Sequence, residues 1–436
     1  MPASFTSLRV VAIATLALAL LGGCGAGDSA GSATVGGDPS GVQAREAQVF
    51  VRSLGINTHT YYSDTVYHQR FKTIERRLKD LGISNIRENL VLHRPDQYRM
   101  LNRLMRAGID SQLILGDPTY GRTGLRRLVA ILGSRLSNAV TAIEGPNEYD
   151  LSGDPRWRER LDRYQRYLYA QVRADPALKG LPIVGPSVGQ LADELVVTDL
   201  SRYLDYGNIH SYPDGDPPEW NLGEWLRAAA RTSGGKPVMA TETGYHTALE
   251  ASQGQRPVSE RAMAVYVPRT YLEYFARGVV RTFPYELVDE FPDPGEDEPE
   301  WNFGLLRNDL SPKPAYRALS DLVFMLTDTG PRFSPGRLDY TLGGDLGDLR
   351  TLLLQKRDGR FYLALWRAAS VWDANRREPR EPGSAPVQVG FANPPDQVNL
   401  RLPNRGRGTR QLTLSAGTAS VEVGPRVAIL EIDPAG

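Results

Sequence analysis

The sequence predicts an α/β fold, a (β/α)8 TIM barrel followed by a small C-terminal antiparallel β-sandwich, on three observations. Eight short apolar runs alternate with longer segments whose apolar residues recur every three or four positions, the alternation of a parallel sheet with helices outside it. After about residue 331 that spacing stops, and short runs follow, separated by Gly, Pro, Asn and Asp. The 436 residues exceed the roughly 250 of one barrel and leave room for about one more small domain. A doubly wound open sheet would carry a glycine-rich phosphate loop after an early strand, and residues 55–59 form none.

The chain divides into four parts: residues 1–23, 24–43, 44–330 and 331–436. In the first, Arg9 precedes an apolar run over 10–21, too short to cross a hydrocarbon layer of roughly 30 Å and suited to an export signal. The run ends in Leu21, Gly22, Gly23, Cys24, which resembles the lipobox of bacterial lipoproteins. Cys24 is therefore the expected lipidation site. The expected location is the membrane, through an N-terminal lipid anchor, on the extracellular face or in the periplasm. As the only cysteine, Cys24 has no partner for an intrachain disulfide. Residues 24–43, rich in Gly, Ala, Ser and Asp, read as a flexible tether.

The strands of the barrel are read at 49–59, 85–88, 111–115, 139–144, 182–185, 206–210, 238–241 and 279–283. Phe71, Ile74, Leu78 and Leu81 illustrate the helical spacing between them, as do Val265, Tyr271, Leu272 and Phe275. A last helix over 314–325 starts at Pro312 and Pro314. The sandwich strands are read at 351–355, 361–366, 387–389, 398–402, 411–414 and 427–432, with 376–386 a solvated loop.

Charge narrows the partners. Fifty-one basic and fifty-one acidic residues give no field to gather nucleic acid, and a neutral polymer fits better. His59, His93, His210 and His246 show no His-x-x-x-His or Cys-pair spacing, so no metal or cofactor is expected, and a monomer is.

In such a barrel the active site lies at the carboxyl ends of the strands. Strand four runs into Glu144, Gly145, Pro146, Asn147 and Glu148; strand seven runs into Thr241, Glu242, Thr243 and Gly244. Strands four and seven stand on opposite sides of an eight-stranded ring, so Glu148 and Glu242 face each other across its mouth. One protonated and one ionised carboxyl are what cleavage of a glycosidic bond requires. Glu144 reads instead as a salt-bridged or solvated strand end.

Over roughly residues 48–327 this pattern resembles the retaining β-glycosidases of glycoside hydrolase clan A, families 5 and 39 above all. The resemblance implies Glu148 as acid/base, Asn147 on the sugar 2-hydroxyl and Glu242 as nucleophile. It also implies Arg87 as support for that nucleophile, with His210 and Tyr212 contacting the nucleophile or the sugar. The chain departs from the clan after strand eight, where Phe283, Pro284, Tyr285, Glu286 and Leu287 stand in place of a Trp platform. Tyr285, Glu286, Trp301 from the acidic loop and His59 from strand one are the further candidates for sugar contact. The implied activity is retaining hydrolysis of a β-linked polysaccharide or oligosaccharide. The alternatives are a lipid-anchored carbohydrate-binding protein and an envelope transglycosylase.

Overall fold

A computed structural model describes residues 41–435. The export signal, Cys24 and nearly all of the tether lie outside these residues. Eight parallel strands appear in chain order: β1 Ile56–Asn57, β2 Asn85–Asn89, β3 Asp110–Ile114, β4 Val140–Glu144, β5 Ile183–Val184, β6 Gly207–His210, β7 Val238–Thr243 and β8 Thr282–Pro284. β1 to β5 form one sheet and β6 to β8 a second. Two parallel bridges join the sheets, Val184 to Tyr206 between β5 and β6, and Leu54 to Thr282 between β1 and β8.

Helices occupy the connections because their apolar stripes need the sheet. Phe71–Leu81 buries Phe71, Ile74, Leu78 and Leu81 and ends at Gly82, whose φ of 79° allows the left-handed cap. Pro314–Leu326 carries Pro314 in its first turn, where no backbone donor is needed. The expected strand over 49–59 is corrected. Ala47–Arg52 is a helix, and only Ile56–Asn57 is strand. Ala47, Phe50, Val51 and Leu54 are buried at helical spacing, so the period there is 3.6 rather than 2.

The C-terminal strands are β9 Tyr340–Gly344, β10 Leu349–Gln355, β11 Phe361–Arg367, β12 Ala385–Phe391, β13 Gln397–Arg401, β14 Thr418–Val423 and β15 Ala428–Asp433. β9, β12 and β14 make one antiparallel sheet, and β13, β15, β11 and β10 form the body of another. Both sheets contribute to one core, with Leu353, Leu363, Val389, Val421 and Leu430 inside it. The strands Val42–Gln43 and Arg45–Glu46 also pair with this unit, on Arg337–Leu338 and on β10. The expected boundary at 43/44 is thus not a structural one.

A second core runs through both units. Trp366 and Ile429 from the β domain belong to the same buried cluster as Tyr266, Leu319 and Val323. Fully buried Arg269 donates to Glu219 at 2.7 Å and to the Ala369 carbonyl at 2.8 Å, while Trp366 Nε1 donates to Glu219 at 3.1 Å. The loop read over 376–386 is corrected in part: 376–381 are exposed, but Glu378–Pro379 is a short strand, β12 begins at Ala385, and Arg377 donates to the Ala251 carbonyl at 2.5 Å and so docks on the loop after β7.

Candidate active site

The site grows outward from Arg87 on β2, which is 3% exposed. Its Nε and Nη2 donate to the two oxygens of Glu144 at 2.9 and 2.7 Å, a bidentate pair that reaches from β2 across β3 to the end of β4. Its Nη1 donates to Glu242 Oε1 at 2.6 Å and Asn57 Oδ1 at 3.0 Å, and Nη2 reaches Asn147 Oδ1 at 2.6 Å. Glu144 accepts three further bonds, from Gln112 at 2.7 Å, Thr241 at 3.0 Å and Asn208 at 3.1 Å. Burial pushes the Glu144 carboxyl up, but Arg87 and these donors outweigh it and hold it below the usual carboxylate range. Glu144 is therefore an anchor whose oxygens are all engaged.

A bulge in β7 delivers Glu242. The ladder on one side pairs Ile209 with Ala240 and then His210 with Glu242; on the other it pairs Thr282 with Ala240 and then Pro284 with Thr243. Regular alternation would send Thr241 and Glu242 to opposite faces, whereas here both reach one network. Tyr212 donates to Glu242 Oε2 at 2.7 Å, and His210 Nδ1 lies 3.6 Å from that oxygen. Burial alone would raise the Glu242 carboxyl. The positive charges of His210 and Arg87 and the Tyr212 hydroxyl hold it below the usual range, so it is ionised.

Glu148 differs in backbone and in surroundings. It adopts φ 43° and ψ 43°, a left-handed conformation uncommon for a side chain of this size and a form of strain concentrated at functional sites. Its carboxyl Oε1 lies 2.7 Å from His210 Nδ1, and His210 Nε2 lies 2.9 Å from Thr241 Oγ1. Thr241 gives its single proton to Glu144 or Asn208, so Nε2 is the donor to Thr241. Two bare acceptors would not meet at 2.7 Å, so one proton lies between His210 and Glu148. Burial lowers the affinity of His210 for a proton, but Glu242 and Glu148 outweigh it and raise the imidazole above its ordinary value. One oxygen from each of Glu148 and Glu242 and one His210 nitrogen lie within 4.8 Å of one another. Those donor atoms already serve the hydrogen bonds above, and no case for an ion rests on them.

Six sequence candidates, Arg87, Asn147, Glu148, His210, Tyr212 and Glu242, thus meet in one hydrogen-bonded group. The others flank it. His59 stacks on Tyr62 with ring centroids 4.7 Å apart, Tyr285 meets His59 at 5.4 Å and Phe303 at 5.3 Å, and Phe303 meets Tyr212 at 6.0 Å. This is an aromatic wall leading to Glu242. Glu286 is fully buried, accepts from Tyr67 at 2.8 Å and offers no exposed atom to a ligand in the cleft, which corrects its reading as a sugar contact. Trp301 packs on Phe291 at 5.3 Å. Its neighbour Glu300, not anticipated from sequence, accepts weakly from Tyr285 at 3.4 Å. Loss of water, then the charges of Glu242 and Glu148, push the Glu300 carboxyl up to about 7. Beside Asn147 opens a cavity of about 200 Å³ lined by Tyr61, Asn89, Asp117 and Tyr120. Asn57, Gln112, Asn208 and Thr241 were also missed, although a polar residue inside a buried apolar strand is a signal for such a network.

No protein-family model matches the chain, and no curated protein resembles it in sequence. Solved structures do resemble it. A family 39 glycoside hydrolase from Bacteroides cellulosilyticus WH2 superposes with a TM-score of 0.65 at 17% identity, over 88% of this chain and 82% of that one. A glucosidase from Croceicoccus marinus gives a TM-score of 0.55 at 12% identity, over 83% and 92%. A family 17 β-1,3-glucanosyltransferase from Rhizomucor miehei gives 0.47 at 19% identity, over 62% and 97%. The first two likenesses show an α/β fold shared with glycoside hydrolases.

Proposed function

We propose that the protein is a retaining β-glycosidase whose eight parallel strands close into a (β/α)8 barrel carrying a C-terminal β-sandwich. The two bridges that join the sheets support closure. One observation carries the mechanism. The Glu148 and Glu242 oxygens approach within 4.8 Å, in keeping with the carboxyl separation of about 5–5.5 Å in retaining enzymes and well short of the roughly 6.5–9.5 Å in inverting ones.

Chemistry follows from the proton count. Ionised Glu242 attacks the anomeric carbon and forms a glycosyl ester, while the proton held between Glu148 and His210 passes to the departing oxygen. Glu148 then takes a proton from water, whose oxygen opens the ester and regenerates Glu242. Arg87 fixes Asn147 through its carbonyl oxygen, leaving the amide N–H groups for the sugar 2-hydroxyl. The aromatic wall offers apolar faces to the sugar rings. An ordered proton path between acid and base favours catalysis over mere carbohydrate binding. On the same reading Cys24 carries the lipid anchor, and Cys24→Ser would release the protein from the membrane fraction.

Glu242→Ala tests the assignment. Turnover should fall by at least about 10⁴-fold, and azide should restore it as a glycosyl azide of inverted configuration. Full activity in that variant sinks the proposal.

A further inference from the structure

Outside the reacting pair, the ends of β1 and β8 assemble a second group of ligating side chains. His59 stands two residues beyond β1, and Glu286 and Glu290 follow β8. The two segments run side by side, with the Leu287 N–H donating to the Asn57 carbonyl at 3.1 Å. One ligating atom from each of His59, Glu286 and Glu290 lies within 4.8 Å of the others. These residues are 8%, 0% and 8% exposed.

Polar atoms of His59 and Glu286 are not satisfied by the protein. Neither ring nitrogen of His59 makes a hydrogen bond, and neither does Glu286 Oε1. The nearest approach is His59 Nε2 to Glu286 Oε2, at 3.4 Å. A buried donor or acceptor left without a partner costs about 1–3 kcal/mol, more when charged, so three in one place call for a missing partner. The nearby ammonium of Lys313 does not serve, because it donates to Asp289 at 2.9 Å, Thr247 at 3.0 Å and the Asn302 carbonyl at 3.1 Å. The atoms are too enclosed for a sugar hydroxyl to reach them. What fits is a small cation.

We propose that His59, Glu286 and Glu290 bind a divalent transition-metal ion of the Mn²⁺ or Zn²⁺ class beneath the aromatic wall of the cleft. One imidazole and two carboxylates suit such borderline ions, whereas Ca²⁺ takes six to eight oxygens. Metal–ligand bonds of about 2.0–2.2 Å set tetrahedral donors about 3.3–3.6 Å apart, so three donors within 4.8 Å of one another draw together by up to about 1.5 Å on binding, a movement within reach of side-chain rotation. Tyr67 already orients Glu286 Oε2 at 2.8 Å and in turn accepts the Val288 N–H at 3.0 Å, the kind of outer support that metal ligands have. The ion ties the end of β1 to the loop after β8, and so fixes His59 and Tyr285.

The test uses the whole protein and no activity assay, so it stands apart from the glycosidase proposal. After equilibration with Mn²⁺ or Zn²⁺ and removal of free ion, elemental analysis should find about one equivalent bound. Chelation with EDTA should lower the melting temperature, and the same ion should restore it. Glu290→Gln, close to isosteric, should abolish both effects, and Tyr67→Phe should weaken binding by roughly 10–100-fold. A wild-type protein that retains no ion and melts at the same temperature with and without EDTA overturns the proposal. That is the result if a water or a proton shared between the carboxyls fills the gap. Retention that survives both His59→Ala and Glu290→Gln overturns it too, by locating the ion elsewhere.

Discussion

Two buried arginines, Arg87 at the strand ends and Arg269 at the junction with the β domain, solve the same electrostatic problem with different accounts of charge. Arg269 faces one carboxylate, Glu219, whose remaining capacity goes to Trp366 Nε1. One positive charge meets one negative charge, and every partner belongs to the protein. Arg87 faces two carboxylates, Glu144 and Glu242. The first is fully consumed, while the second keeps a face toward the cleft, where His210 and Tyr212 also reach it. A guanidinium closed on all sides holds a structure together. One with a surplus carboxylate, steadied but not neutralised, suits the nucleophile proposed at Glu242.

The comparison breaks most sharply at Arg269. Arg269→Ala leaves Glu219 buried without its cation, and removal of one partner from a buried pair costs about 3–5 kcal/mol. Chemical denaturation should register a loss of that size, with kcat on an aryl glycoside kept within about twofold wherever the variant is folded. A large fall in kcat at unchanged stability would mean that the junction acts on the cleft.

Tyr212→Phe probes the other side. A hydrogen bond to a charged group contributes about 1.5–3 kcal/mol, so kcat/KM should drop by roughly 10–100-fold while the fold persists. The sign of the pH effect follows. The Glu242 carboxyl is lower in the folded protein than in the unfolded chain, near 4.3. Its stabilisation is present above that pH and lost as pH falls through the folded value. Without the Tyr212 hydroxyl the folded value rises, so the acid limb of kcat/KM should move to higher pH. His210 has the opposite sign: raised above about 6.5, it stabilises at lower pH and loses that contribution as pH climbs through its folded value. An acid limb unmoved in Tyr212→Phe would remove the hydroxyl from the support of Glu242.

How much of this was legible follows the same division. Arg87, Asn147, Glu148, His210, Tyr212 and Glu242 could be read because each closes or follows an apolar run, where the proposed barrel would put its chemistry. What aims them could not. The bulge that brings Thr241 and Glu242 onto one network, and the left-handed backbone of Glu148, leave no mark in periodicity. In the β domain, β14 was overlooked although Ala419, Val421 and Val423 alternate as a half-buried strand should. Glu286 was read as a cleft residue because position after a strand does not distinguish a side chain at the mouth from one packed behind it. The helix at Ala47–Arg52 was missed because Val49 and Val51 suggested alternation, while the buried set follows the helical period.

The smallest predicted effect sharpens the comparison furthest, because it concerns a charge that neither arginine meets. Glu300 is exposed at the rim, yet its carboxyl is pushed up to about 7, by loss of water first and by Glu242 and Glu148 next. Its ionisation near neutral pH adds a negative charge to the neighbourhood of the reacting pair. That charge tightens the hold of Glu148 and His210 on their shared proton and so extends the basic limb of kcat/KM upward. Glu300→Gln removes the titration, so the basic limb should move to lower pH while kcat/KM at the optimum changes only a few-fold, less than about 1 kcal/mol. Stability follows the same sign. A carboxyl raised in the folded state favours folding below its unfolded pKa, and that contribution fades as pH rises through about 7, so the variant should lack the fade. A basic limb that stays in place in Glu300→Gln would put this residue outside the field of the catalytic pair and leave Arg87, His210 and Tyr212 as the groups that set its charge.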